Sequence, residues 1–258
     1  GRPVRSNEDL TAAIQAAGGA PLTVVYRRSG ARYTATLTPT ADESGHYKAG
    51  VWVRDSGAGI GTMSFVDPQR GTFAGLGHSI SDADTGADLT LLSGEIVPVT
   101  ITGCIRGAAG SPGELRGEFA AAPAGTVLAN DAAGVYGSYT GSCTAPALPV
   151  ANLQEVTPGE AELWTTVLGT TAQPYTIQVE RVTMTGSDPN RNLLIRVTDK
   201  RLLDATGGVV QGMSGSPIVQ NGRLAAVLTH VLVNDPSRGY AIFATTMLEK
   251  ADAVASSK

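Results

Sequence analysis

The chain has 258 residues, above the usual size of one globular domain and long enough to bury a substantial core. Charged residues make up 16% against a typical ~25%, and hydrophobic residues 42%, which excludes a disordered or polyelectrolyte chain. A net charge of −4 without any basic run offers no footprint for nucleic acid or an anionic membrane, so neither is an expected partner. The 32 glycines and 14 prolines show no Gly-X-Y period and point to many short elements joined by tight turns. No segment reaches the ~18 apolar residues of a membrane-crossing helix, because the longest run, Leu224 to Val233, is broken by Thr229 and His230.

A short helix is predicted after Ser6, with Ser6 as N-cap, Asp9 three residues on, and Gly18 and Gly19 as the stop. Two strands, Leu22 to Arg28 and Arg32 to Pro39, should follow, joined by Ser29-Gly30. From about Gly45 the pattern is β throughout. Strands are predicted at Gly50–Val53, Gly71–Ala74, Ile96–Ile101, Leu163–Leu168, Thr176–Val182 and Leu193–Val197, in the manner of a barrel or sandwich. Asn221-Gly222, between Pro217–Gln220 and the long apolar run, is the strongest hairpin signal, since both turn residues tolerate positive φ. Met247, Leu248, Ala251 and Val254 share helical spacing, so the chain should end in a helix.

Candidate chemistry centres on Gly212-Met213-Ser214-Gly215-Ser216-Pro217, where small residues can expose a hydroxyl and turn the Gly212 and Ser214 N–H groups toward one spot. The bland alternative is a Gly/Ser-rich turn. A nucleophilic serine needs a base, and there are three histidines. His78, in Gly75-Leu76-Gly77-His78-Ser79, follows a predicted strand among glycines and small residues and is the first choice. His230, in the apolar run, is the second-choice base, and His46 reads as a solvated loop residue. A carboxylate should orient the imidazole; Asp199, Asp204, Asp82, Asp84 and Asp88 are candidates, and spacing alone does not choose among them. Asp199 also suits an N-cap over Arg201 to Asp204.

Other templates fail. Ser216 stands where a nucleophile elbow needs Gly, and no acid lies between Ser214 and His230. Ala87 and Ser93 break an EF-hand at Asp82. Gly57 to Gly61 has no βαβ context for a dinucleotide. No His/Cys spacing suggests zinc, and no metal or cofactor is expected. Cys104 and Cys143 would close a loop of about 39 residues if bridged in an oxidising compartment, and otherwise read as free, buried thiols.

The strings V-R-D-S-G-A-G-I-G-T-M-S-F-V-D-P (53–68), G-L-G-H-S-I-S-D-A-D-T-G (75–86), T-G-G-V-V-Q-G-M-S-G-S-P-I-V-Q-N-G (206–222) and T-H-V-L-V-N-D-P-S-R-G-Y (229–240) resemble the SpoIVB peptidase family of endospore-forming bacteria. The opening residues resemble the second half of a PDZ domain. The expected division is therefore residues 1–44 as a partial PDZ (α+β) fragment and 45–258 as the peptidase. The resemblance implies a mainly β, chymotrypsin-like double barrel with a C-terminal helix. It also implies a serine endopeptidase with His78 as base, Asp199 as orienting acid, Ser214 as nucleophile, and the Gly212 and Ser214 N–H groups as oxyanion hole. Met213 stands where trypsin-like enzymes carry the Asp that pairs with a new N-terminus, so activation by an inserted terminus is not expected. The implied substrates are the protein itself and a membrane-bound regulator of an intramembrane protease. The implied location is the space between the two membranes of the developing spore, the anchor lying outside this chain. The alternative is a catalytically silent barrel acting as a binding scaffold.

Overall fold

The computed structural model describes residues 1–28, 30–54, 57–82, 84–185 and 188–256, in two compact units, Gly1–Ala58 and Gly59–Lys258. In the first unit, α1 (Asn7–Ala17) starts as predicted: Ser6 is extended and its hydroxyl accepts from the Asp9 N–H at 3.2 Å. Glu8 and Asp9 face the positive end of the helix dipole, and Gly18, at φ +54°, ends it. Strands β1 (Leu22–Arg28) and β2 (Ala31–Leu37) form an antiparallel hairpin in which Tyr26 stacks on its cross-strand partner Tyr33. Of the predicted turn, Ser29 lies outside the described residues. Strands β3 (Thr40–Ala41) and β4 (Tyr47–Lys48) pair, and the Gln15 amide joins helix to strand by donating to the Tyr47 carbonyl and accepting from its N–H. The predicted strand at Gly50–Val53 does not form. These residues have no ladder partner among the described residues, and Trp52 is fully exposed.

The second unit begins with β5 (Met63–Asp67), β6 (Thr72–Gly75), β7 (Glu95–Ile96), β8 (Val99–Ile105), β9 (Glu114–Phe119), β10 (Gly125–Asp131) and β11 (Gly134–Tyr139). Five of these make an antiparallel sheet in the order β5-β6-β11-β10-β7. The strand predicted over Ile96–Ile101 is split at Pro98, which has no N–H for a ladder, so β7 stops at Ile96 and β8 starts at Val99. Strands β8 and β9 pair only with each other as a sheet, and bridges run from Ile101 to Gly169 and from Glu114 to Gln211. The first half of the expected double barrel is therefore an open half-barrel. Its last strand has only two residues, and the chain then leaves for the β8–β9 hairpin.

The second half closes. Strands β12 (Gly159–Thr165), β13 (Gln173–Val182), β14 (Leu193–Val197), β15 (Pro217–Gln220), β16 (Arg223–Val231) and β17 (Arg238–Phe243) form a barrel in the order β12-β13-β14-β17-β16-β15. Alternate side chains such as Leu163, Ile177, Ile195 and Leu228 fill it, all fully buried. The hairpin predicted at Asn221-Gly222 joins β15 to β16, with φ of +51° and +72°. Helix α2 (Lys200–Thr206) lies between β14 and β15 in the chain, and α3 (Ala244–Ala255) ends it as predicted. Strand β16 is buried along most of its length because it is covered twice. Ala226 and Leu228 point into the barrel, while Val227 joins Ala74, Tyr136, Ile242 and Met247 in a second core under α3. Cys104 and Cys143 are both free, and Cys143 is exposed rather than buried.

Candidate active site

Ser214 sits in the turn between α2 and β15. Gly212 and Gly215 adopt φ of +96° and +97°, a region that L side chains rarely enter. Space also demands glycine at both. A Cβ at 215 would lie 1.9 Å from the Thr62 carbonyl oxygen, and one at 212 would press on Leu115 and Ile60. The turn is anchored on every side. Leu115 N–H donates to Gln211 O, Gly215 N–H to Leu228 O, and Leu228 N–H to Ser216 O, while Met213 is buried beneath. Ser216 is also buried and donates to Thr165 Oγ1 at 3.0 Å. The N–H groups of Gly212 and Ser214 have no partner among the described residues, whereas their neighbours Gln211, Met213, Gly215 and Ser216 all donate. Two free donors beside a half-buried serine are what a developing oxyanion needs.

His78 follows β6 in a tight loop. Leu76 and Gly77 both have positive φ, +68° and +70°, and the Gly77 N–H donates back to Gly75 O. A Cβ at Gly77 would lie 2.9 Å from Thr229 Cγ2, so the loop reaches its neighbour only because residue 77 has no side chain. His78 Nδ1 donates to the Ser79 carbonyl at 2.7 Å, which leaves Nε2 with the lone pair. The loop is held from below by Asn130, whose amide accepts from Ile80 N–H at 2.7 Å and donates to the carbonyls of Ile80 and Leu89. Ser79 and Ser81 hydroxyls donate to Asp88, keeping that carboxyl below its ordinary range.

Thr229 links the two loops. The β16–β17 register slips between Leu228 and His230, leaving Thr229 as the extra residue of a bulge. Its hydroxyl donates to the Asn190 carbonyl at 2.6 Å, and its own carbonyl accepts from Ser214 Oγ at 2.7 Å. The next residue, His230, places its ring centroid 4.9 Å from that of His78, tilted by 36°. Partial loss of water around the ring, which is exposed at its edge, holds the His230 pKa below the ordinary imidazole value, reinforced by the charges of His78 and Arg191 and opposed by Asp188. Ser214, His78 and His230 are thus gathered around Thr229. The serine hydroxyl is bonded to a backbone carbonyl, not to an imidazole.

Asp199 is not brought to this cluster. It is the N-cap of α2, accepting from the Arg201 N–H at 2.8 Å, from the Arg201 guanidinium at 2.7 Å and from the Thr176 N–H at 3.3 Å. The Arg201 bonds hold its pKa at about 2. His230 lies opposite Tyr240, and Tyr240 opposite Leu194. Asp199 lies beyond the end of that strand, and its carboxylate is taken up by Arg201 and Thr176. His46 is 72% exposed beside Asp42 in the first unit. Among the described residues no three His, Cys, Asp or Glu side chains group as a metal site. Thr62, Asn130 and Thr229 are not singled out by sequence reasoning. The only signal for Thr62 is its place at the end of a glycine cluster just ahead of a strand.

Residues 45–248 match the family model described as SpoIVB peptidase S55. Among curated proteins, none matches the chain. Solved structures with similarity include the Rv3671c protease of M. tuberculosis in its active form, at 16% identity and a TM-score of 0.38 over 62% of this chain and 79% of that chain. Another is the HtrA-type protease AlgW with a decapeptide, at 13% identity and a TM-score of 0.38 over 76% of this chain and 62% of that chain. The matched family segment contains both the loop bearing His78 and the turn bearing Ser214, and the chain belongs to the SpoIVB peptidase S55 family of serine peptidases.

Proposed function

We propose that the chain is a serine endopeptidase in which Ser214 attacks a peptide carbonyl and His78 takes the serine proton. The observation that carries this reading is the pair of Gly212 and Ser214 N–H groups, without partners among the described residues, beside a hydroxyl held by the Thr229 carbonyl, with the His230 ring next along that bulge and the His78 ring 4.9 Å from it. Ser214 Oγ first gives up the Thr229 carbonyl and turns to His78 Nε2. As Oγ bonds to the substrate carbon, its proton passes to Nε2 and the carbonyl oxygen gathers charge at the two N–H groups. The imidazolium then protonates the leaving amine, giving an acyl-enzyme and the first product. Water, deprotonated by His78, then attacks the acyl carbon, and as the bond to Oγ breaks the imidazolium returns that proton to Oγ, releasing the second product as an acid and restoring the serine. Throughout, the Ser79 carbonyl holds Nδ1–H, which fixes the tautomer.

Family membership supports the remaining features: substrates that are proteins, namely the chain itself and a membrane-bound regulator of an intramembrane protease, and action in the space between the membranes of the developing spore. No helix among the described residues is long and apolar enough to cross a membrane. Residues 1–44 are proposed as the C-terminal part of a PDZ domain, on the strength of one helix followed by a hairpin.

A fluorophosphonate probe tests the mechanism on the intact chain. Labelling at Ser214, abolished in Ser214→Ala and reduced at least about 100-fold in His78→Ala, is expected, with His230→Ala falling less than about 10-fold. Absence of labelling in a folded wild-type chain would leave the scaffold reading instead. A larger loss in His230→Ala than in His78→Ala would make His230 the base.

A further inference from the structure

We propose that Thr62 is a positioning residue that sets the oxyanion hole and locks the serine turn to the histidine loop; this rests on the peptidase reading above. Thr62 stands at the end of Gly59-Ile60-Gly61, immediately before β5, and uses all three of its polar groups on the site. Its N–H donates to the Ser214 carbonyl at 2.8 Å. Its Oγ1 donates to the Gly212 carbonyl at 3.1 Å. Its carbonyl accepts from the Leu76 N–H at 3.2 Å, two residues before His78. One residue therefore touches both loops, which are far apart in sequence.

The packing around Thr62 is close. Gly215 must lack a side chain to pass under the Thr62 carbonyl, and a Cβ at Gly61 would lie 2.2 Å from Leu76 Cδ2. Ile60 covers Gly212 from the same segment. The backbone bonds of Thr62 hold position whatever its side chain, so the hydroxyl is the part with a separable role. Gly212 and Met213 share the peptide unit whose carbonyl the hydroxyl fixes. Gly212 sits at φ +96°, a conformation open to glycine, and the N–H of the same peptide unit donates to Val210 O at 3.2 Å; the Thr62 hydroxyl holds its other edge, in the unit that lies between the Gly212 N–H and the Ser214 N–H. Met213 is buried and uncharged, and the neutral Thr62 hydroxyl, from the segment just before β5, bonds the turn.

The test compares Thr62→Val and Thr62→Ala, which lack the hydroxyl, with Thr62→Ser, which keeps it. The readouts are the saturating rate of fluorophosphonate labelling and the probe concentration giving half that rate, with melting temperature as a check on folding. Both hydroxyl-less variants should lose about 10- to 100-fold in the saturating rate, with the half-saturating concentration changed less than about 3-fold, and Thr62→Ser should stay within about 3-fold of wild type. Valine keeps the shape of threonine and alanine cannot clash, so if either one unfolds the other decides. A folded Val or Ala variant that labels at the wild-type rate overturns the proposal, as does a Ser variant that falls as far as they do. A wild-type chain that never labels overturns the peptidase reading itself, a result these variants do not share.

Discussion

Asp199 stands 15 positions before Ser214, a spacing that fixes neither where its side chain points nor what reaches it first. In the fold its carboxylate is capping α2 and pairing with Arg201, and the Ser79 carbonyl occupies His78 Nδ1. The two candidates for the orienting group predict different outcomes for Asp199→Asn. If Asp199 orients His78 in the working enzyme, labelling should fall by about 10⁴-fold; if the Ser79 carbonyl suffices, it should stay within about 10-fold. Stability supplies an independent reading. The Asp199 pKa is about 2, below its ordinary 3.8, so the folded state binds this proton less readily than the unfolded state. Its contribution is fully present above about pH 4 and is lost as pH falls from there toward 2. Asp199→Ala should cost about 1–2 kcal/mol at neutral pH, chiefly through the lost cap, and the deficit relative to wild type should shrink in denaturant titrations taken toward pH 2. At this scale Ser214 and His78 stood out as candidates because the chain has only three histidines and because each of the two residues adjoins a glycine in a segment of small residues. Thr62, Asn130 and Thr229 were not, because they act through backbone groups and hydrogen bonds that only distant neighbours supply.

At the level of elements, local signals worked where the partner is also local. The Ser6 cap, the Gly18 stop and the Asn221-Gly222 hairpin each depend on residues within a few positions, and each forms as read. Gly222→Ala isolates this local term. Residue 222 has φ +72° and nothing within 4 Å of an added Cβ, so the cost is backbone strain alone, about 1–2 kcal/mol by denaturant melts, with little change in labelling. Gly50–Val53 has strand composition yet finds no ladder, and Ile96–Ile101 is divided by Pro98. Composition records a preference for extended backbone, and pairing requires a neighbouring edge with free N–H and C=O groups.

Across the second compact unit, Gly59–Lys258, the open sheet and the closed barrel share one core. Ala74 and Tyr136 of the sheet meet Val227 and Ile242 of the barrel and Met247 of α3, all fully buried. Met247→Ala should cost about 2–5 kcal/mol, since the site can collapse only by moving the helix against both halves. Hydrogen exchange should then show faster opening in β11 and β16 together. Loss confined to one half would mean that the halves unfold separately.

The amino-acid order alone specified a mainly β chain with a terminal helix, two glycine-flanked loops bearing a hydroxyl and an imidazole, and strings that mark a peptidase family. These are readable because turn chemistry, burial periodicity and reactive side chains are properties of short segments. The Asp199 cap over Arg201 belongs with these short-range readings, whereas only the tertiary structure decided that the first half stays open and that Thr62 and Thr229 join the serine turn to the histidine loop. Those outcomes depend on which distant backbone donors and acceptors become neighbours once both cores are packed, and no short window of the chain contains that information.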